Sequence, residues 1–150
     1  MNVKVYFLLL RPINLALICY IQFLIHFVLF KSLKISSIIS FVDYLLICLA
    51  TIFITAAGNI INDIKDVVAD RINRPDRLIV TRKIALEDAK LHYRILNVIV
   101  LFLGVIVGLR LEKPSLFFMF LVPSLLLYFY AAFLKAIPLL GNVTIALLVA

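Results

Sequence analysis

The sequence predicts an all-α fold, a polytopic transmembrane helical bundle in which about four to five helices are present. Hydrophobic residues make up 65% of the 150 residues, and the mean hydropathy is +1.18. An ordinary soluble domain is only about half apolar. The apolar residues also fall in long runs, and a helix needs about 20 of them to cross a hydrocarbon core of roughly 30 Å. Composition and patterning together exclude an ordinary soluble domain.

The apolar runs give the order of the predicted spans. They cover residues 13–30, 37–61, 95–111 and 115–134, and a fifth run begins near 138 and is still apolar at residue 150. A charged segment, 62–93, separates the second run from the third, and its last part predicts a short amphipathic helix at 85–94. The fifth run is too short to span the membrane. We therefore expect the chain to be the front part of a longer bundle.

The basic residues predict how the bundle is oriented. Eleven of the fifteen Lys and Arg residues lie before the first span, in the 62–94 segment, or directly after the fourth span. Cytoplasmic loops carry an excess of Lys and Arg. We expect a multi-pass protein of the cell membrane with a cytoplasmic N-terminus and a cytoplasmic Asp-rich loop. A basic loop in so apolar a chain favours anionic lipid or a phosphorylated substrate over nucleic acid.

Acidic residues are concentrated at the end of the second span. Asn62, Asp66 and Asp70 follow an i, i+4, i+8 spacing, which places them on one face of a helix, and Asp63 and Asn59 border that face. Like charges at this spacing repel one another. Mg²⁺ removes the conflict, because it binds proteins through one or two carboxylates together with phosphate oxygens and water. A solvated loop with surface ion pairs is the other interpretation.

Arginines follow the acidic residues directly. Arg71, Arg74 and Arg77 come next, and Pro75 ends the predicted helix. Guanidinium groups match the geometry of phosphate oxygens. Carboxylates for Mg²⁺ beside arginines for phosphate indicate a diphosphate substrate.

Three motifs in the expected order resemble the UbiA-type intramembrane prenyltransferases. The first is an Asn-x-x-x-Asp-x-x-x-Asp signature, the second an Arg-Pro-x-Asn opening of the first span, and the third a Tyr…Leu-Lys…Gly-Asn block after the fourth span. The matching residues are Asn62, Asp66 and Asp70; Arg11, Pro12 and Asn14; and Tyr128, Leu134, Lys135, Gly141 and Asn142.

The resemblance implies a bundle of about nine spans with two Asp-rich motifs facing each other at its cytoplasmic mouth. Residues 1–150 would be the N-terminal part of one such domain, with the first motif only, so a missing C-terminal half or partner chain is expected. The implied reaction is Mg²⁺-dependent transfer of a prenyl group from a prenyl diphosphate to a lipid or aromatic acceptor.

The resemblance also assigns roles to residues of this chain. Asn62, Asp66 and Asp70 would hold Mg²⁺, and Asp63 would support them or face the acceptor. The substrate-binding residues would be Arg11, Asn14, Asn59, Arg74, Arg77, Tyr128, Lys135 and Asn142. Tyr128, or Tyr130 in its place, would present an aromatic face to the allylic cation.

The branch of the family rests on a shorter pattern. The spacing Asp70-x-x-Asn73-Arg74-Pro75 resembles the digeranylgeranylglyceryl-phosphate synthases, which implies geranylgeranyl transfer to geranylgeranylglyceryl phosphate. The branch usually continues with Pro and a Ser-Gly pair, where this chain has residues 78–83, Leu-Ile-Val-Thr-Arg-Lys. One alternative is an aromatic-acceptor enzyme of the 4-hydroxybenzoate, naphthoate or homogentisate type. A second is a non-catalytic, truncated or partner-dependent membrane subunit.

Overall fold

The computed structural model describes residues 3–33 and 39–137, together with 139, 141, 143, 144 and 146, and for Val3, Lys4, Arg77 and Ala136 it describes the backbone only. The described part is helical, as the sequence predicts, and four of its helices are long and apolar enough to cross a membrane. The helices are α1 (Val3–Leu10), α2 (Pro12–Ser32), α3 (Phe41–Lys65), α4 (Val67–Asn73), α5 (Leu86–Arg110) and α6 (Pro114–Ala132). The predicted fifth run lies mostly outside the described residues.

Two helix boundaries differ from the sequence-based prediction. The acidic stripe does not lie on one uninterrupted helix, because Asp66 has φ −87° and ψ −1° and separates α3 from α4. The Asp66 and Asp70 N–H groups still donate to the carbonyls four residues earlier, at 2.9 and 2.7 Å. The amphipathic helix expected at 85–94 is not separate either, since it forms the first turns of the continuous helix α5. Residues 86–103 contain no Gly or Pro that would interrupt that helix.

Helices α2 and α3 pack side by side in opposite directions. Arg11, at the start of α2, contacts Asp63 near the end of α3. At the far end, the His26 ring of α2 stacks on the Tyr44 ring of α3, with ring centroids 4.1 Å apart and an interplanar angle of 18°. His26 lies in a π-helical segment of α2, Leu24–Leu29. These two contacts set which residues of α2 and α3 face each other along the whole span.

The core of the span region lies where α3 meets α5 and α6. Its buried side chains are Ala50 and Ile54 of α3, Val100, Leu103 and Val107 of α5, and Phe120 of α6. Small residues let these helices approach closely, which is how helices associate in membranes. Gly104 of α5 lies against Phe120, and Gly58 of α3 lies against Leu127 of α6.

These two glycines predict unequal effects of substitution by alanine. A Cβ on Gly104 would lie 3.0 Å from Phe120 Cδ2 and 3.3 Å from Phe120 Cβ, so the helices must move apart. We expect Gly104→Ala to lower the free energy of unfolding by about 1–3 kcal/mol. Gly58→Ala is the matched control, because its Cβ would meet the flexible methyl groups of Leu127 at 3.0 and 3.3 Å.

Denaturation by sodium dodecyl sulfate in mixed micelles measures the free energy of unfolding of both variants. Gly58→Ala should be neutral, or stabilising by up to about 1 kcal/mol through helix propensity. Equal losses in the two variants would contradict the assigned packing.

The segment between α4 and α5 forms a packed layer over the ends of the helices near Arg11 and Asp63. Val80 and Ile84 are buried in a cluster with Leu9 of α1, Ile60 of α3 and Ala89 of α5. The cluster fixes α1 against the end of α3. The N-terminal part of the chain is thereby held next to the acidic residues.

The opposite end of the bundle is joined by an ion pair whose carboxylate is buried. Asp43, in the first turn of α3, is 4% exposed. Arg110 at the end of α5 donates to Asp43 Oδ1 at 2.5 Å, and the Ser40 hydroxyl donates to Oδ2 at 2.5 Å. Ser40 in turn accepts from the Asp43 N–H at 3.2 Å, so it caps the helix.

Candidate functional site

The site begins at the break between α1 and α2, where Arg11 adopts a left-handed conformation. Its φ and ψ are 54° and 68°, and Pro12 follows as the first residue of α2. This conformation costs a non-glycine residue about 1–2 kcal/mol. Asn59 stabilises the break by donating from Nδ2 to the Leu10 carbonyl at 3.0 Å. The bend directs the Arg11 guanidinium to the carboxylate of Asp63, at 2.5 Å.

The second part of the site comes from the turn after α6. Lys135 lies in a 3₁₀ turn, Leu134–Ala136, and its ammonium reaches back to the end of α3. There Nζ donates to Asn62 Oδ1 at 3.2 Å and also to Asp66 Oδ1. Two oxygen ligands from successive turns of the chain therefore converge on one cation.

Burial separates these acidic residues from ordinary surface charges. The Asp63 side chain is 13% exposed and that of Asp66 is 28% exposed, whereas that of Asp76 is 97% exposed. The interpretation as a solvated loop fits Asp76 but does not fit Asp63 or Asp66. Two partly buried carboxylates, each paired with a cation, are expensive to maintain in a membrane protein and make this region a candidate functional site.

Asp70 is not part of the Lys135 cluster. It lies in α4, one turn beyond Asp66, and is half-buried. Among the described residues, no three His, Cys, Asp or Glu side chains are grouped closely enough to hold a metal ion. A divalent cation here would need ligands from its substrate as well as from the protein.

A cavity of about 810 Å³ opens beside these residues and extends into the membrane region. It lies between α2, α3 and α6. Arg11 and Asn62 line one end, and Ile39 and Leu111 line the opposite end. Most of the remaining lining is aliphatic, and the volume falls within the usual range for small-molecule sites. We refer to it as the interhelical cavity.

The two tyrosines considered for contact with the allylic cation lie in different places. Tyr128, which the motif match assigns to substrate, packs elsewhere. Its ring lies under the Lys65 ammonium, 5.3 Å from the ring centroid, and stacks beside Tyr93 at 6.5 Å. Tyr130 is among the residues that line the interhelical cavity. Of the two tyrosines, the structure therefore brings Tyr130 to the site.

The other predicted residues are divided between the site and its surroundings. Asn59 lines the interhelical cavity. Asn14 and Arg74 are exposed, in α2 and directly after α4. The side chain of Arg77 and the whole of Asn142 lie outside the described residues, so their predicted roles remain predictions.

Some cavity residues were missed by the sequence-based reasoning. Thr51 and Thr55 continue the spacing of Asn59 and Asn62 along one face of α3, and all four line the cavity. This stripe of polar residues within an apolar span could have predicted, from the sequence alone, which face of α3 lines the cavity. Gln22 of α2 also lines the cavity. A single polar residue in an apolar run gives no spacing from which its orientation can be predicted.

Comparison with known proteins gives consistent similarities. Residues 12–150 match the UbiA prenyltransferase family. The chain is 40% identical over 104 residues to a digeranylgeranylglyceryl phosphate synthase of Methanoculleus marisnigri, covering 69% of this chain and 36% of that protein. It is 35% identical over 154 residues to the protein of the same name from Pyrococcus abyssi, covering 100% of this chain and 50% of that protein.

A solved structure from work on digeranylgeranylglyceryl phosphate synthase in membranes has the same fold. Its TM-score is 0.77 at 31% sequence identity, covering 97% of this chain and 49% of that chain. The chain thus spans between about a third and a half of the length of the relatives it matches.

Proposed function

Because this chain belongs to the UbiA prenyltransferase family, we propose that it binds Mg²⁺ and a prenyl diphosphate at the cytoplasmic end of the interhelical cavity. There it takes part in transferring a geranylgeranyl group to geranylgeranylglyceryl phosphate. The acceptor is proposed from the relatives named digeranylgeranylglyceryl phosphate synthase. It agrees with the Asp70…Pro75 spacing.

The observation that carries the proposal is the convergence of Asn62 and Asp66 on the Lys135 ammonium at the mouth of an apolar cavity. The Lys135 ammonium occupies a position at which two protein oxygens, one from Asn62 and one from Asp66, bind a cation. Mg²⁺ needs no more than one or two carboxylates when phosphate oxygens and water complete its shell. Asn62 and Asp66 therefore fit Mg²⁺ bound together with a diphosphate, and the motif spacing alone proposes Asp70 as a further ligand.

Bound there, Mg²⁺ would neutralise the charge that develops on the leaving diphosphate. Lys135 and Arg11, released from their carboxylates, bind the phosphate oxygens as cations. The prenyl tail lies in the interhelical cavity, whose aliphatic walls exclude water from the allylic carbon. The Tyr130 ring is placed to stabilise positive charge on that carbon, by about 0.5–2 kcal/mol.

The transfer itself replaces one carbon–oxygen bond by another. The acceptor hydroxyl oxygen bonds to the allylic carbon, and the bond from that carbon to the diphosphate breaks. The hydroxyl proton must then leave. Asp63, which pairs with Arg11 before the substrates bind and is left by it for the phosphate, is the carboxylate that we propose accepts it.

Orientation follows from the same assignment. The N-terminus and the Asp-rich loop are proposed to face the cytoplasm, where both substrates present their phosphate groups. Most basic residues lie at that end.

A transfer assay with labelled geranylgeranyl diphosphate and Mg²⁺ tests the proposal. The purified chain, and any longer product of the same reading frame, is incubated with geranylgeranylglyceryl phosphate or with 4-hydroxybenzoate. We expect a labelled ether lipid from the first acceptor. Product from the aromatic acceptor alone would contradict the assigned acceptor. Diphosphate binding without transfer, in both forms of the protein, would favour a non-catalytic or partner-dependent subunit.

A further inference from the structure

Tyr128 matches the motif but does not line the interhelical cavity, and its surroundings indicate another role. Pro123, Leu127 and Tyr130 of α6 line the cavity at the i, i+4, i+7 spacing of one helix face. On that face Leu127 lies against Gly58 of α3. Because successive residues are about 100° apart around a helix, Tyr128 points away from the cavity, where it packs beside α5.

The Tyr128 ring contacts an aromatic residue of α5 and a basic residue of α3. The ring of Tyr93, on α5, lies beside it with centroids 6.5 Å apart and an interplanar angle of 30°. The Lys65 ammonium, at the end of α3, lies over the Tyr128 ring, 5.3 Å from its centroid. A cation within about 6 Å of an aromatic centroid is attracted by the electrons of the ring face. The contact therefore determines where the Lys65 ammonium is held.

Lys65 lies where its ammonium would otherwise reach the proposed metal ligands. It directly precedes Asp66 and follows Asn62 by three residues, and residues three apart are neighbours on a helix surface. Helical side chains also point back toward the N-terminus, which directs Lys65 to the turn that carries Asn62. Lys135 already donates to oxygens of Asn62 and Asp66. A second ammonium there would compete with Mg²⁺ for the same oxygens.

We propose that Tyr128 is a positioning residue, which holds the Lys65 ammonium on its aromatic face and away from the oxygens that bind Mg²⁺. The metal then displaces one ammonium, that of Lys135, instead of two. The inference deepens the proposed function and rests on it, since it takes Asn62 and Asp66 as the metal ligands. It gives Tyr128 a role that needs no contact with the substrate.

The expected size of the effect follows from the strength of the contact. Lys65 is exposed, and a cation over an aromatic ring at an exposed site is held by about 0.5–1 kcal/mol, which corresponds to about 2- to 5-fold in an equilibrium constant. Loss of the ring therefore lowers the Mg²⁺ affinity by about 2- to 5-fold, and only while residue 65 carries its charge.

The test measures the binding of Mg²⁺ alone, by titration calorimetry of the chain in phosphatidylcholine nanodiscs. Tyr128→Leu removes the aromatic face and should weaken Mg²⁺ binding by about 2- to 5-fold. Tyr128→Phe is the matched control, because it keeps the face and removes only the hydroxyl, so its Mg²⁺ affinity should equal that of the wild type. In the double variant with Lys65→Met, Tyr128→Leu should cause no loss relative to Lys65→Met alone.

Three results would overturn the inference. The first is an unchanged Mg²⁺ affinity in Tyr128→Leu. The second is a loss that is equal with and without the Lys65→Met substitution, because the effect of the ring would then not pass through the Lys65 charge. The third is an equal loss in Tyr128→Phe and Tyr128→Leu, which would assign the effect to the hydroxyl.

An experiment without ligand separates this inference from the proposed function. Unfolding in mixed micelles gives the energetic coupling between Lys65→Met and Asn62→Leu, from the two single variants and the double variant. We expect this coupling, expressed as a ratio of folded to unfolded protein, to be about 2- to 5-fold larger in the Tyr128→Leu background, where the released ammonium donates to Asn62. If the wild type binds no Mg²⁺ but the coupling grows in this way, the metal site is wrong and the role of Tyr128 stands. Equal coupling in both backgrounds would contradict that role.

Discussion

Asp66→Asn is expected to weaken Mg²⁺-dependent binding of geranylgeranyl thiolodiphosphate by at least about 100-fold. Loss of residues that only support metal ligands already costs 10- to 100-fold in many proteins. Asp66 is proposed as a direct ligand, and the substitution keeps the size of the side chain while removing its charge. Titration calorimetry with and without Mg²⁺ measures the effect.

Asp76→Asn is the matched control for this prediction. Asp76 is an acidic residue of the same segment, it is almost fully exposed, and it lies 3.6 Å from Arg82. Its substitution should leave ligand binding unchanged. Unaltered Mg²⁺-dependent affinity in Asp66→Asn would remove Asp66 from the metal site.

Substitution of Lys135 is expected to change two affinities in opposite directions in the same experiment. Its ammonium competes with Mg²⁺ for Asn62 and Asp66, yet it is proposed to bind the diphosphate. Lys135→Gln should therefore strengthen the binding of Mg²⁺ alone and weaken the binding of Mg²⁺ with the thiolodiphosphate. A residue that merely anchored the helix end at the membrane interface would change neither affinity.

Arg110→Met is expected to cause the largest loss of stability in the bundle. The substitution leaves the Asp43 carboxylate buried, with the Ser40 hydroxyl and N–H groups as its remaining partners. Leaving a buried carboxylate without its paired cation is strongly destabilising, and we expect the ratio of folded to unfolded protein to fall by about 100-fold. Asp43→Asn should cost less, because the Arg110 side chain is 45% exposed and can be hydrated.

Unfolding in mixed micelles measures the ratio of folded to unfolded protein for these variants. The double variant Asp43→Asn with Arg110→Met leaves no buried charge and should recover much of the loss. Lys113→Met is the control, since Lys113 is exposed at the same end of the bundle. Equal losses for Lys113→Met and Arg110→Met would show that basic character at this end, and not the pair with Asp43, stabilises the fold.

The spans could be predicted from the sequence because hydropathy depends only on local composition. The ends of the helices could not be predicted from the sequence. Asp66 ends α3 through its backbone conformation, and α5 continues through a charged segment. Both charged ends were predicted as helical, the acidic stripe on a helix that Pro75 ends and residues 85–94 as a short amphipathic helix. Helical spacing indicates that a segment is helical, but it does not show whether that helix is continuous with the span beside it.

The candidate site could be predicted in part. Spacing brought out Asn62, Asp66 and Asp70, but the partners of the acidic residues lie far away in sequence, at Arg11 and Lys135. Motif order suggested both residues, and only the packing of α1, α3 and α6 shows which acid each one contacts. The choice between Tyr128 and Tyr130 depends on the rotation of α6 about its axis, which an almost uniformly apolar helix does not reveal.

The pairing of the mouth residues has a thermodynamic consequence. Arg11 with Asp63 and Lys135 with Asp66 make this part of the described structure electrically balanced before any ligand arrives. Under the proposed function, a metal diphosphate would enter by exchange of ionic partners, in which each internal cation leaves a carboxylate for a phosphate oxygen. Because charges change partners and no new bare charge is desolvated, the large penalty for placing ions at a membrane boundary is avoided. The carboxylates of the site therefore already have internal counter-ions before any ligand binds.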